Sequence, residues 1–328
     1  MYKYFPATHS ILSVGSLEKD VLPEYGLNSV IDFRLLRIGL NDTYLVKTSN
    51  GIKYILRIYR ANWRSVCEIM YEIDVLNHLS EKGIPVSKAI PKIDGDYIRV
   101  ISAIEGVRYA VLFTFADGNN FPWETEPEST AFKYGKAVGK IHNATQDFSS
   151  HHTRFSLDLK HLVDNPLKSI DAMLSHREDD RDYLHQLSDK LQKHIGFFQK
   201  DDLENGFCHG DFNRGNGHIA DAGTITFFDF DCCGWGWRAY DIAVFRWGAR
   251  LIKKEKLLWE HFVRGYTEER ILTEANLKVT QLFVGIRHLW LLGLHTSNGS
   301  DLGFGFMDQK YFDNAIKFLR DWEDECFT

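Results

Sequence analysis

Asp211, Asn216 and Asp229 are the residues whose types and spacing could do chemistry. They lie in His209-Gly210-Asp211-Phe212-Asn213-Arg214-Gly215-Asn216 and in Asp229-Phe230-Asp231. An Asp-x-x-x-x-Asn run, followed one short hairpin later by an Asp at a strand end, is the spacing of a phosphoryl-transfer loop. That chemistry needs a carboxylate to orient and deprotonate an attacking hydroxyl, and hard oxygen ligands to hold magnesium on phosphates. Asp211 suits the first task, Asn216 and Asp229 the second. A single His-Gly-Asp would carry little, since an Asp before a turn commonly caps backbone amides; the joint spacing carries the reading. His209 is either a base or a brace that holds the loop through backbone hydrogen bonds, and bracing is preferred. Asp231 faces a second magnesium or the substrate, or is solvated at the surface.

These groups need elements that aim them. Apolar alternation predicts strands over 30–38, 43–48 and 53–59, with turns at Gly39-Leu40-Asn41-Asp42 and Ser49-Asn50-Gly51. Asn-Gly tolerates the positive φ of a tight hairpin at both positions. Val66, Ile69, Met70, Ile73, Leu76 and Leu79 recur at helical spacing, predicting a helix over 65–81 that Gly83 and Pro85 end. Strands near 97–102 and 109–115 complete a small antiparallel sheet, and Asp117-Gly118-Asn119-Asn120 reads as a linker. Helices follow near 129–145, 157–174, 181–199, 239–254, 257–266, 274–294 and 308–323. Among them, 217–219 and 224–228 flank Asp221-Ala222-Gly223 as a hairpin. The expected fold class is therefore α+β, with a strand-rich part at 1–117 and a helical part at 118–328.

Composition narrows the partners. The 328 residues are 44% hydrophobic and 26% charged, as in a globular protein, and the formal net charge of -6 argues against a general nucleic-acid binder. Five cysteines without C-x-x-C spacing indicate neither a disulfide framework nor a zinc site, and fit a reducing cytoplasm. The sequence contains no run of about 18 apolar residues, so no membrane partner is expected. Rival nucleotide motifs fail: Gly135-Lys136-Ala137 is the nearest approach to a P-loop, and Gly234-Trp235-Gly236 lacks a third glycine.

With these motifs in place, the chain resembles the aminoglycoside phosphotransferase and choline kinase-like family, relatives of the protein kinases. Tyr54-Ile55-Leu56-Arg57-Ile58-Tyr59-Arg60 and Gly83-Ile84-Pro85-Val86 look nearest to its homoserine-kinase-like and stress-response-kinase-like bacterial members. The resemblance implies a bilobal, protein-kinase-like fold with ATP and Mg2+ in the cleft. Arg57 stands where protein kinases place a phosphate-touching Lys, with Glu72 as its ion-pair partner; Arg keeps the charge and adds a planar fork. Gly39 to Thr43 would cover the phosphates, bringing in Asn41 and Thr43, and Phe113-Thr114-Phe115-Ala116 would be the adenine hinge, bringing in Phe113 and Phe115. Asp241 would accept hydrogen bonds from the catalytic-loop amides, and His142 would pack at a helix end. Arg287, His288 and Asp301 would shape the acceptor pocket, or form structural salt bridges. Trp235, Trp237, Trp247 and Trp290 either hold a cationic substrate by cation-π attraction or pack as walls, and packing is preferred.

The implied activity is transfer of the ATP γ-phosphoryl to a hydroxyl of a small molecule: an amino alcohol, a sugar or an aminoglycoside. The alternatives are a protein Ser/Thr kinase and a nucleotide-binding pseudokinase. The short stretch between Asp231 and Asp241 leaves no room for a long activation segment and favours the small acceptor.

Overall fold

The three strands expected at the start form from alternating side chains. In the computed structural model, which describes residues 5–327 without the side chains of 200 and 300–302, β1 (Val30–Arg37), β2 (Asn41–Thr48) and β3 (Lys53–Tyr59) pair antiparallel. The β2–β3 turn closes differently from the sequence expectation. Only Gly51 takes a positive φ, of 85°, while the Asn50 side chain accepts from Thr48 Oγ1 at 2.6 Å. β4 (Ala89–Ile90), β5 (Arg99–Ala103) and β6 (Gly106–Thr114) complete the sheet in the order β1-β2-β3-β6-β4, with β5 also on β6.

One face of this sheet buries Tyr44, Val46, Leu56, Ile58 and Leu112 against Leu17, Val21 and Leu22, at and just beyond a short helix α1 (Val14–Asp20) that the apolar periodicity did not reveal. Each fully buried side chain of this size contributes ~1.5–3 kcal/mol. Helix α2 (Val66–Glu81) starts at a capping box: Ser65 Oγ accepts from Glu68 N at 3.3 Å and the Glu68 carboxylate accepts from Ser65 N at 2.8 Å. It buries Ile69, Ile73, Leu76 and Leu79, and with them Glu72. Asn41 and Thr43 sit in β2 rather than in a loop, so only Gly39 and Leu40 of the expected phosphate loop lie outside strands. Pairing wins there because Asp42 is fully buried and ion-paired with the buried Arg108 at 2.8 Å, which fixes the start of β2.

The chain divides into two units, Met1–Asp117 with Ser150–Thr153 and Thr226–Phe228, and Gly118–Ser149 with Arg154–Ile225 and Asp229–Thr328. The second is built on helices α3 (Pro127–Ala144), α4 (Asn165–Met173), α5 (Glu178–Ile195), α6 (Arg238–Leu251), α7 (Glu255–Thr267), α8 (Glu274–Leu302) and α9 (Gln309–Phe327). Leu184, Leu191, Val244, Phe283, Ile286, Leu289 and Trp322 form its core. The helix expected at 157–174 is interrupted: β7 (Ser156–Leu157) and a π-turn at Lys160–Asp164 precede α4. β7 joins β8 (Asn205–Cys208) and β11 (Gly234–Trp237) in a sheet of order β7-β11-β8, while β9 (Gly217–Ile219) and β10 (Ile225–Phe227) form the expected hairpin. The stretch read as a linker is pinned, since Asn119 exchanges backbone hydrogen bonds with Ile219 at 3.0 and 2.9 Å. Gly118 allows that contact, because a Cβ there would lie 2.4 Å from the Ile219 carbonyl oxygen.

Candidate active site

In the second unit the loop after β8 is shaped by Asp241, in the first turn of α6. Its Oδ2 accepts from His209 N and its Oδ1 from Gly210 N, each at 2.7 Å. Asp241 is in turn held by His142 Nε2 at 3.2 Å, and His142 Nδ1 meets the Tyr266 hydroxyl at 2.9 Å. Burial pushes the His142 pKa down, against the opposing pull of Asp241. His209 braces the turn as well, its Nδ1 accepting from Asp211 N at 3.2 Å while its ring packs between Phe212 and Phe230. Gly210 takes φ 78° where a Cβ would lie 2.2 Å from the Cys232 carbonyl oxygen, so the residue before Asp211 must be glycine.

This backbone delivers Asp211 into a ring of donors. Asp211 Oδ2 accepts from Asn216 Nδ2 at 2.8 Å and from Asn213 Nδ2 at 2.9 Å, and Oδ1 accepts from Arg287 Nη2 at 2.5 Å. Asn216 Nδ2 also reaches the Asp211 carbonyl at 3.0 Å. The Asn216 amide nitrogen is committed to Asp211, and its carbonyl oxygen is a hard donor of the kind that suits magnesium. Asp229 adopts φ 64° and ψ 57°, a left-handed conformation that costs a non-glycine residue ~1–2 kcal/mol. Among the described residues no three His, Cys, Asp or Glu side chains gather as a metal cluster. Magnesium held by one or two side chains plus phosphate oxygens and water needs none.

The remaining expected residues of this unit fall into place unevenly. Asp231 is 4% exposed and faces Arg154, with Oδ1 3.8 Å from Nη2, so surface solvation is excluded. Trp235 lies on β11 and stands 47% exposed. The faces of Trp247 and Trp290 are occupied, since the Arg287 guanidinium lies 5.2 and 4.6 Å from their ring centroids. His288 accepts from Trp247 Nε1 at 3.1 Å and stacks on Phe318, and burial pulls its pKa down to about 3. Asp301 lies outside the described side chains.

In the first unit Arg57 of β3 and Glu72 of α2 form an ion pair, Nη1 to Oε1 at 2.7 Å, with both residues buried. The Tyr59 hydroxyl donates to the second Glu72 oxygen at 2.9 Å, and the Phe113 ring lies 4.7 Å beneath the guanidinium. Arg60 Nη2 donates to the Gly39 carbonyl at 2.6 Å and anchors the glycine turn. In the segment read as a hinge, Thr114 N–H donates to the Lys88 carbonyl at 2.8 Å and Phe115 N–H to the Lys53 carbonyl at 3.4 Å, so these two amides are engaged. The Phe115 ring is covered by Lys53 Nζ at 5.0 Å.

The sequence reading missed Asn213 and the link from Arg287 to Asp211. Asn213 stands two residues after Asp211, and its Oδ1 accepts from Gly215 N at 2.7 Å in a local turn of the kind Asn favours. Arg287 had no comparable signal, because 76 residues separate it from Asp211.

Residues 32–270 match the family model described as the phosphotransferase enzyme family. An uncharacterized protein of Deinococcus radiodurans is 34% identical over 324 residues, covering 98% of this chain and 93% of that one. The amicoumacin kinase of Bacillus subtilis is 27% identical, covering 84% of each, and the homoserine kinase of Paraburkholderia phymatum 26%, covering 84% and 86%. Among solved structures, the amicoumacin kinase hAmiN in complex with AMP-PNP, Ca2+ and Ami superposes with a TM-score of 0.73 at 22% identity, covering 93% of each chain. The microcompartment-associated aminopropanol kinase does so with a TM-score of 0.71 at 24% identity, covering 94% and 95%.

Proposed function

Because the chain belongs to the phosphotransferase enzyme family, we propose that it moves the γ-phosphoryl of ATP, with magnesium, to a hydroxyl of a small molecule. The observation that carries this reading is Asp211, whose carboxylate is fixed by Asn213, Asn216 and Arg287 yet keeps 19% side-chain exposure. Asp211 is the general base: it orients the acceptor hydroxyl and takes its proton as the new P–O bond forms and the bond from the γ-phosphorus to the bridging oxygen breaks, with ADP leaving. Asn216 and Asp229 are the magnesium ligands. When bound, magnesium neutralises charge on the phosphates through the transition state. Arg57, fixed by Glu72, is the phosphate contact of the first unit, with Asn41 and Thr43 next to the glycine turn. The segment from Phe113 to Ala116 receives the adenine.

The acceptor class is an amino alcohol, a sugar or an aminoglycoside. Homoserine kinase and aminopropanol kinase, both similar to this chain, are named for small molecules that carry an amino group and a hydroxyl, homoserine with a carboxylate as well. The short path from Asp231 to Asp241, taken up by β11 and the first turn of α6, holds no peptide platform and supports a small acceptor. The test is transfer of label from γ-32P-ATP to a panel containing homoserine, 1-amino-2-propanol, simple sugars and a mixed polypeptide. Label on a small alcohol, reduced ~100-fold or more by Asp211→Asn, is the expected result. Label on polypeptide alone, or an unchanged rate in the variant, contradicts it.

A further inference from the structure

We propose that Arg287 is a positioning residue for Asp211, holding the base in its reactive orientation from helix α8; this rests on the reading of Asp211 as the base. One guanidinium grips two consecutive residues of the loop. Its Nη2 donates to Asp211 Oδ1 at 2.5 Å and its Nη1 to the Gly210 carbonyl at 3.2 Å. The planar fork of arginine makes both bonds from one rigid group, which a lysine ammonium on a flexible stem does not. Arg287 is itself buried, 3% exposed, and packs against Trp290 and Trp247.

Three side chains divide the work on the carboxylate. Asn213 and Asn216 belong to the same loop as Asp211 and hold Oδ2, so they move with it. Arg287 holds Oδ1 from a 29-residue helix packed through the core of the unit, and so references the loop to the rigid frame. A misplacement of about 1 Å at a reacting group can lower the rate ~100-fold, which sets the scale of what this anchor protects. There is a second consequence for the acceptor. With the Arg287 guanidinium on one face of each ring and both side chains buried, Trp247 and Trp290 do not form the cradle of a substrate cation.

The test compares Arg287→Met, Arg287→Lys, Asp211→Asn and Arg287→Met combined with Asp211→Asn, using Mg-ATP and the best acceptor from the panel above. Arg287→Met should lower kcat ~100-fold while the KM for ATP stays within about threefold, since Arg287 acts on the base and not on nucleotide. Arg287→Lys should recover about a tenth to a half of the wild-type kcat by restoring one of the two bonds. In the Asp211→Asn background, removing Arg287 should change kcat less than about threefold, because residues acting through one group are not additive. Full additivity, a loss confined to KM, or absence of a cooperative melt in both Arg287 variants would overturn the proposal. An Asp211→Asn enzyme as fast as wild type would instead remove the reading of Asp211 on which it stands.

Discussion

His288 shows how burial turns a titratable side chain into a pH-dependent stability element. Its pKa is pulled from the ordinary 6.5 down to about 3 by desolvation, while it accepts from Trp247 and stacks on Phe318. The folded state holds it neutral, and the unfolded chain protonates it below about pH 6.5. Its contribution is therefore present above that pH and is lost as the pH falls toward about 3. Thermal melts from pH 7.5 to 5 should show a falling Tm, and His288→Phe should flatten that slope; an equal slope in the variant would contradict the account. Burial sets most of this behaviour, with the nearby His295 and Arg287 charges adding to it, and burial is what a sequence hides. Asp211, Asn216 and Asp229 were legible because their spacing is local, within one loop and the hairpin after it. Arg287 was placed near the acceptor but not on the carboxylate, since a contact across 76 residues leaves no periodic trace.

Among the elements, the crossing of α3 and α7 depends on three glycines. A Cβ on Gly135 would lie 2.0 Å from the Phe262 carbonyl oxygen, one on Gly265 1.9 Å from that of Phe132, and one on Gly139 3.1 Å from that of Tyr266. Gly135 thus serves helix packing, which explains why the partial P-loop pattern around it completes no phosphate loop. Gly265→Ala should destabilise the protein by ~1–3 kcal/mol, although alanine is worth about 1 kcal/mol more than glycine in a helix. A Tm equal to or above wild type would show that the helices part without cost. The longer helices and the strands β1, β2, β3 and β6 were readable because each carries several turns or alternations of apolar pattern. β8 and β11 escaped because runs of four residues such as Gly234-Trp235-Gly236-Trp237 are short and interrupt strand-forming Trp with strand-weakening Gly, and their pairing partner lies far along the chain. The π-turn at Lys160–Asp164 was equally silent, since five residues are too few to impose a period of their own on the apolar pattern.

At the scale of the whole molecule, Asp211, Asn216 and Asp229, the proposed base and the proposed magnesium ligands, all belong to the second unit. Among the described residues no helix is long and apolar enough to cross a membrane. The most direct test is the magnesium dependence of AMP-PNP affinity, measured by titration calorimetry in wild type, Asp211→Asn and Asp229→Asn. Asparagine tolerates the left-handed backbone at position 229, so that variant should fold. Asp229→Asn should lose at least ~10-fold of the magnesium-dependent affinity, about 1.4 kcal/mol, while Asp211→Asn stays within about threefold of wild type. An Asp229→Asn protein that binds the magnesium complex as tightly as wild type, or an Asp211→Asn protein that does not, would contradict the assignment.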